Sequence, residues 1–453
     1  MHVQKGSKTT LFASEVVAML HTEQNELITQ IGPGTPGGNL MRSYWQPAAL
    51  SRELKDNEPL AVTLLGEDLV MFRDDKGRPQ LIGRACPHRA TDLTYARVEN
   101  GGLRCIYHGW LMDGRGRCVH QPSEPTGSAF KDQQLTPAYP CHEGGGLILA
   151  YLGRGEPPAL PGFHFLSAPE SQTFVMKVHH ACSYLQSNEG NIDPQHLSFL
   201  HRFLAAGVPG SRRSSDELNE IMSNNPAPQI RVDETAYGLR ITTARAHKPG
   251  SRWVRITNFV MPNGSAIHGS PVTNPRTDPV PENCAYQMNW HVPIDDRNHW
   301  KYVVAHRFDG PVDAPYMMSA FSEVAADFTV AYNRENRYRQ NRAEMKSQSF
   351  AGLGPSFFIH DKCATESQGP IMDRSNEHLA TTDRAIMRMR KQLLEAIDAV
   401  QAGRDPLMVE RDGAPPALAE LTVLSTEVAE DIELGADWWR PYFEGNRPKL
   451  TPA

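Results

Sequence analysis

The 453-residue sequence has no apolar run near the roughly 18–20 residues that a membrane-crossing helix needs. It also lacks a basic block: 46 Lys and Arg stand against 52 Asp and Glu, a formal net charge of −6. A mildly acidic chain without clustered cations is poorly suited to nucleic acid or to an anionic membrane surface. The opening segment, Met1 to Leu20, carries charges and shows no apolar core followed by a small-residue cleavage site, so the expected location is cytoplasmic. Cysteine is scarce, with seven residues scattered at 86, 105, 118, 141, 182, 284 and 363. An odd, dispersed set is no disulfide framework and leaves two roles, small buried hydrophobes or ligands. No Gly-x-Gly-x-x-Gly follows a strand, so nothing here binds a flavin or nicotinamide. The Gly- and Pro-dense stretch Ile31 to Gly38 has no Lys-Ser/Thr after it and is not a nucleotide loop; its composition predicts irregular structure. There is no plant-type Cys-x4-Cys-x2-Cys run, no internal repeat and no low-complexity tract.

Gly and Pro, 35 of each, are plentiful and point to turns and β-structure. Residues 1–43 read as a lead-in whose first part is helical, with Leu11, Val16, Val17, Leu20 and Leu27 at mixed helical spacing. From Tyr44 to Gly155 short apolar or alternating runs are cut by turns, predicting strands at Ala61–Leu65, Asp68–Arg73, Gln80–Arg84 and Leu147–Leu152. Asp74-Asp-Lys-Gly77 and Asp113-Gly-Arg-Gly116 read as hairpin turns. The stretch from Gly153 to Gly162 is the clearest linker, and residues 156–453 form the second large unit. There Thr173–Val178, Leu239–Arg245, Trp253–Met261, Cys284–Val292 and Trp300–His306 predict an antiparallel sheet. The spacing of Ile386, Met389, Leu393, Ile397 and Val400 predicts a helix over Asp383–Gly403, capped by Thr381 or Thr382 and ended by Gly403. The fold class is thus α+β, an all-β module followed by an antiparallel sheet with flanking helices.

Cys86-Pro-His88 and, sixteen residues on, Cys105-Ile-Tyr-His108 bring two thiolates and two imidazoles on two short loops. Such a set suits either a tetrahedral metal, a structural zinc included, or a two-iron cluster. A second stretch, Asn188-Glu-Gly-Asn-Ile-Asp193-Pro-Gln-His196-Leu-Ser-Phe-Leu-His201, contains His-x4-His. On a regular helix those rings point about 140° apart, so a common metal requires local relaxation to a π-bulge. Asp193-Pro194 also reads as a helix N-cap with proline at the first helical position.

Arg84-Ala-Cys-Pro-His-Arg89 followed by Leu103-Arg-Cys-Ile-Tyr-His-Gly-Trp110 resembles the Rieske [2Fe–2S] motif of the aromatic-ring-hydroxylating oxygenases. The resemblance implies that Cys86 and Cys105 hold one iron and His88 and His108 the other. The His-x4-His stretch is similar to the family's mononuclear-iron motif, which implies His196 and His201 as ligands of an Fe(II) with open positions for O2. The segment Ile359-His-Asp-Lys-Cys-Ala-Thr-Glu366-Ser-Gln-Gly-Pro-Ile-Met-Asp-Arg374 resembles the family's third-ligand segment and points to Asp361, with Glu366 and Asp373 as rivals and His360 adjacent. Asp193 is implied to stand behind His196 and to bridge to His108 of the partner subunit. This carries a ring-shaped homo-oligomer, a trimer or stacked hexamer.

The stretch from Ile28 to Ala48, with Glu366 to Arg374, is similar to the phthalate-dioxygenase branch, which implies a helix-grip-like catalytic domain over 156–453. That branch has α subunits only and acts on aromatic carboxylates, by hydroxylation or by O-demethylation. Electrons are then supplied by a separate flavin/iron-sulfur reductase that draws on NAD(P)H. The remote alternative is an electron carrier or zinc protein without oxygenase activity. Two features depart from the branch: residues 309–344 are rich in helix formers, and Phe357-Phe-Ile-His360 is bulky where polar residues are expected. Strand parity puts Arg245 and Arg255 each at the end of an apolar face, where an arginine fork can hold a substrate carboxylate.

Overall fold

Irregular structure predicted at the Gly- and Pro-dense stretch gives way, halfway along, to a helix. The computed structural model describes residues 20–205, 216–268, 284–411 and 421–444, together with 272–274, 277, 278, 280 and 418; Leu11, Val16 and Val17 lie outside them. Helix α1 spans Thr22–Thr29 and α2 spans Pro36–Arg42. The prediction for Ile31–Gly38 is corrected from Pro36 onward. Pro36 occupies the first helical position, where no N–H is needed, and Thr35 Oγ1 accepts from the Gly38 N–H at 3.0 Å. The glycine at 37 is there for close approach: a Cβ would lie 2.5 Å from the Leu27 carbonyl oxygen and 2.7 Å from that of Gln30. Gly37→Ala should therefore cost about 1–3 kcal/mol, read as a lower midpoint in urea unfolding; an unchanged midpoint would refute this packing account.

The first module is built from three small antiparallel sheets. β1 (Trp45–Leu50) pairs with β11 (Leu147–Tyr151), which pairs with β10 (Cys141–Gly144). β2 (Leu60–Leu64), β3 (Glu67–Arg73), β4 (Pro79–Gly83) and β9 (Ala138–Tyr139) make the second sheet. β5 (Arg97–Glu99), β6 (Gly102–Arg104), β7 (Leu111–Asp113) and β8 (Cys118–His120) make the third. Both predicted hairpin turns use one device. Asp74 accepts from the N–H groups of Lys76 and Arg78, and Asp113 from those of Arg115 and Arg117. In each, the fourth residue is a glycine at φ +72° or +73°.

The second unit is one eight-stranded antiparallel sheet. Its strands are β12 (Thr173–His180), β13 (Gln229–Thr235), β14 (Gly238–Ala246), β15 (Ser251–Val260), β16 (Gly264–Ile267), β17 (Ala285–Asp295), β18 (Asn298–Arg307) and β19 (Leu424–Ala429). The order is β12-β18-β17-β16-β15-β14-β13, and β19 pairs along β15 beside β16. Helix α3 (Tyr184–Ile192) follows β12 and packs on β17 and on α6 (Phe357–Glu366). Between them in sequence lie α4 (Asp216–Asn224) and α5 (Ala314–Ser319); α5 is the single α-helix among residues 309–344, whose helix formers otherwise fold as turns. The long helix α7 (Arg384–Gln401) packs its Ile386, Met389, Leu393 and Ile397 face on β13, β14, α1 and α2. Its start is capped differently from the prediction. Thr381 and Thr382 sit in a 3-10 turn closed by Asp383, which accepts from the Ala380 N–H, and Asp383 at the N-cap position gives α7 no side-chain cap.

Candidate active site

The two Cys–His loops turn alike. The Cys86 carbonyl accepts from Ala90 N–H at 2.8 Å, and the Cys105 carbonyl from Gly109 N–H at 3.0 Å. Ala90 and Gly109 are both left-handed, at φ 56° and 74°. Each loop thereby buries its thiol, 2% and 3% exposed, while His88 and His108 reach the surface. The imidazoles meet edge to face at 4.4 Å between centroids, and His88 stacks on Trp110 at 4.5 Å. The Cys86 thiol is pushed up to about 11, first by burial and then by Cys105 beside it. Two buried sulfurs next to each other, with two imidazoles above them, suit a group that binds both as thiolates and neutralises them. Around this face Tyr95, Ile106, Tyr107 and Phe130 are exposed apolar side chains.

The second site gathers at the end of α3. The expected π-bulge does not form. Pro194 disfavours a helical residue before it, so α3 ends at Ile192 and Asp193 is extended (φ −71°, ψ 120°). His196–Ser198 is a lone 3-10 turn, and Phe199 breaks it at φ −123°, ψ −64°. The kinked chain brings the His196 and His201 rings to 4.9 Å. Asp193 closes α3 rather than starting a helix; its Oδ1 accepts from Gln195 N–H at 2.7 Å, and its Oδ2 lies 3.7 Å from His196 Nδ1.

Asp361 arrives from α6. Its Oδ1 is 2.9 Å from His201 Nε2 and 4.0 Å from His196 Nε2. One donor atom from each of the three lies within 4.8 Å of the others. His201 is drawn down to about 3 by burial, against the pull of Asp361, so its imidazole is neutral. Burial opposes the charge on Asp361 as well, yet His201 and Lys301 hold its carboxyl well below the usual range. Two imidazoles and a carboxylate, His201 buried and the other two half-buried, converge and match the donor set of a divalent iron site. The rivals are engaged elsewhere. Glu366 is buried against Lys362, Tyr338 and the Ala181 N–H, and Asp373 is exposed and caps Ser375 and Asn376. His360 is not idle: its Nδ1 contacts His201 Nδ1 at 3.2 Å.

A cavity of about 550 Å³ opens beside the three donors. One face of the sheet lines it through Thr243, Arg255, Thr257, Gln287, Lys301 and Val303. Arg255 keeps its Nη2 on the His268 carbonyl at 2.8 Å, while its Nε has no partner. Lys301, 5% exposed, is held down by burial and raised by Asp361. Arg245 is not at this cavity. Its Nη2 donates to the Pro194 carbonyl at 2.6 Å and its Nε to that of Asn225 at 3.2 Å, so its fork braces the histidine loop. Strand parity missed Lys301 because neighbouring apolar residues masked its face. The bulky Phe357 has a local purpose, stacking on His201 at 4.5 Å.

Residues 44–140 match the model of the Rieske [2Fe-2S] domain, and residues 150–438 that of the LigXa C-terminal domain like family. The chain is 33% identical to the phthalate 4,5-dioxygenase oxygenase subunit of Pseudomonas putida over 94% of its length and 95% of that protein's. It is 33% identical to the 3-chlorobenzoate-3,4-dioxygenase oxygenase subunit of Comamonas testosteroni (85% and 90% covered). It is 30% identical to the 5,5'-dehydrodivanillate O-demethylase oxygenase subunit of Sphingobium sp. (92% and 91%). Among solved structures, dicamba monooxygenase bound to dicamba superposes with a TM-score of 0.56 at 20% identity, covering 81% of this chain and 100% of that one. The likeness in fold, the two family matches and the length over which these relatives align agree with the two Cys–His loops and the sheet-based cavity. The chain belongs to the Rieske non-haem iron aromatic-ring-hydroxylating oxygenases, as an α (oxygenase) subunit of the phthalate-dioxygenase-like branch.

Proposed function

We propose that this oxygenase subunit hydroxylates an aromatic carboxylate, with a [2Fe–2S] cluster held by Cys86, Cys105, His88 and His108 and an Fe(II) held by His196, His201 and Asp361. The 44–155 module handles electrons and the 156–453 region the substrate. When bound, the cluster supplies single electrons and the Fe(II) activates O2. The observation that carries the substrate class is a pair of basic side chains on one cavity, the half-buried Arg255 with a buried, unpartnered Nε and the buried Lys301 with the iron carboxylate nearby. A substrate carboxylate pairs with Arg255 and orients the ring; the remaining walls, Val303, Ile267 and Phe357 among them, exclude water from its apolar part. Asp193 supports His196 and forms the link to the His108 ring of the partner subunit in a trimer or stacked hexamer. A separate reductase brings electrons from NAD(P)H to the exposed histidine edge.

Arg255→Met should weaken binding of the aromatic acid by about 2 kcal/mol, roughly thirtyfold, while the same change at Arg245 disturbs folding more than substrate affinity. Equal affinity in the Arg255 variant removes it from the substrate site. Product analysis decides the chemistry: the O-demethylating reading, which the 30% identical O-demethylase subunit supports, requires formaldehyde, and ring dihydroxylation requires a cis-diol. The direct test of the metals is iron and sulfide analysis with EPR of the dithionite-reduced protein. About three irons per chain with a rhombic cluster signal support the proposal; one zinc and no signal overturn it.

A further inference from the structure

A chain of two imidazoles ends on a backbone carbonyl behind the iron site. His360 is 0% exposed, one residue before Asp361 on α6, and its Nε2 lies 2.9 Å from the Gly354 carbonyl oxygen. A carbonyl only accepts, so His360 carries its proton on Nε2. A neutral imidazole then presents a lone pair at Nδ1. That atom lies 3.2 Å from His201 Nδ1, which must donate to it. His201 is thereby fixed as the Nδ1–H tautomer, and its Nε2 lone pair is aimed at Asp361 Oδ1, 2.9 Å away. Nε2 is then the His201 atom left to hold a cation beside that carboxylate.

We infer that His360 is a positioning residue, which sets the tautomer and ring orientation of His201 so that Nε2 is always the metal-binding atom. The inference rests on the reading of His196, His201 and Asp361 as iron ligands. The packing fits the role. Phe357 stacks on His201 (4.5 Å, 29°) and His360 lies nearly parallel to it (5.3 Å, 19°), so the ring cannot flip to offer Nδ1. The two ligand histidines also differ in charge behind them. His196 has the Asp193 carboxylate 3.7 Å from Nδ1, whereas His201 has the His360 ring 3.2 Å from Nδ1.

The test uses the full chain with its cluster, depleted of the mononuclear metal and titrated anaerobically with Fe(II). Partners behind a ligating histidine are typically worth about 10- to 100-fold in metal affinity. H360F and H360L, which offer no acceptor, should lose affinity by that factor and change the rhombicity of the EPR signal of the Fe(II) nitrosyl complex. H360N, whose Oδ1 can accept from His201 Nδ1, should stay near wild type in both. Unchanged Fe(II) affinity in H360F or H360L overturns the inference, as does an H360N as weak as they are. Should neither acceptor-free variant fold, H360N decides alone: wild-type affinity and rhombicity support the inference, and loss of either refutes it. Failure of the iron-site reading looks different, because the wild type itself would then take up no further iron.

Discussion

Replacing His201 with Ala removes one iron per chain and lowers turnover of the aromatic acid at least about a thousandfold, with the cluster EPR signal unchanged. The magnitude follows from the several kcal/mol that a bound metal ion contributes to a transition state, each 1.4 kcal/mol being tenfold. His201 Nε2 faces Asp361 Oδ1 at 2.9 Å, so deleting the ring takes away one of the three donors and the polar partner nearest the carboxylate. Asp361→Asn keeps the volume and removes the charge, and should give a comparable loss. The cluster loops belong to the small sheets of the first module, not to the eight-stranded sheet that carries this site. A His201→Ala protein that keeps its full iron and its turnover would show that the donors at the end of α3 and on α6 are not the iron site. A protein that loses the cluster signal as well would point to a folding defect, to be separated by the thermal midpoint.

What the sequence made legible follows the range of the interactions involved. The Cys86–His88 and Cys105–His108 pairs are local, each carried on a loop closed by a hydrogen bond four residues along, so spacing alone exposes them. The hairpins at Asp74 and Asp113 are local too. His196 and His201 are visible as a pair, yet the way they meet is not. The bulge expected from helical geometry is replaced by a helix that stops at Ile192, an effect of Pro194 that outweighs the periodicity. Asp361 lies far along the chain, and only the resemblance of its segment brings it forward. Arg245 and Arg255 look equivalent by strand parity. What separates them is tertiary: carbonyls of Pro194 and Asn225 occupy one, while the other keeps an open Nε in the cavity. Lys301 and His360 carry no signal of their own, since each acquires its meaning from a residue brought up from elsewhere in the fold.

The same applies to Glu189, seven residues before His196, whose replacement should be the most destabilising single change in the catalytic region. Its carboxylate is 6% exposed and accepts from Arg374 Nη2 at 2.8 Å, Arg374 Nε at 3.0 Å and Arg390 Nε at 2.7 Å. Arg390 pairs in turn with Glu377, and Arg374, fully buried, also reaches Asn25 Oδ1 at 3.1 Å. One carboxylate thus ties α3 to α7, to α1 and to the segment after α6. Glu189→Gln leaves two buried guanidinium groups short of an anion, at a cost of about 3–5 kcal/mol. The sign with pH follows from the charges. Burial on its own raises the Glu189 carboxyl, but Arg374 and Arg390 outweigh it and hold it below its ordinary value of 4.5. A carboxyl depressed in the folded state contributes stability above the unfolded value, and that contribution is lost as pH falls through the folded one. The gap in urea midpoint between wild type and Glu189→Gln should therefore be full at neutral pH and narrow below the ordinary carboxylate range. Because α3 runs directly into Asp193 and His196, the variant should also release its mononuclear iron to a chelator faster at neutral pH. A gap below about 1 kcal/mol, or one that does not change with pH, would mean that the arginines are satisfied without Glu189 and that another contact fixes the end of α3.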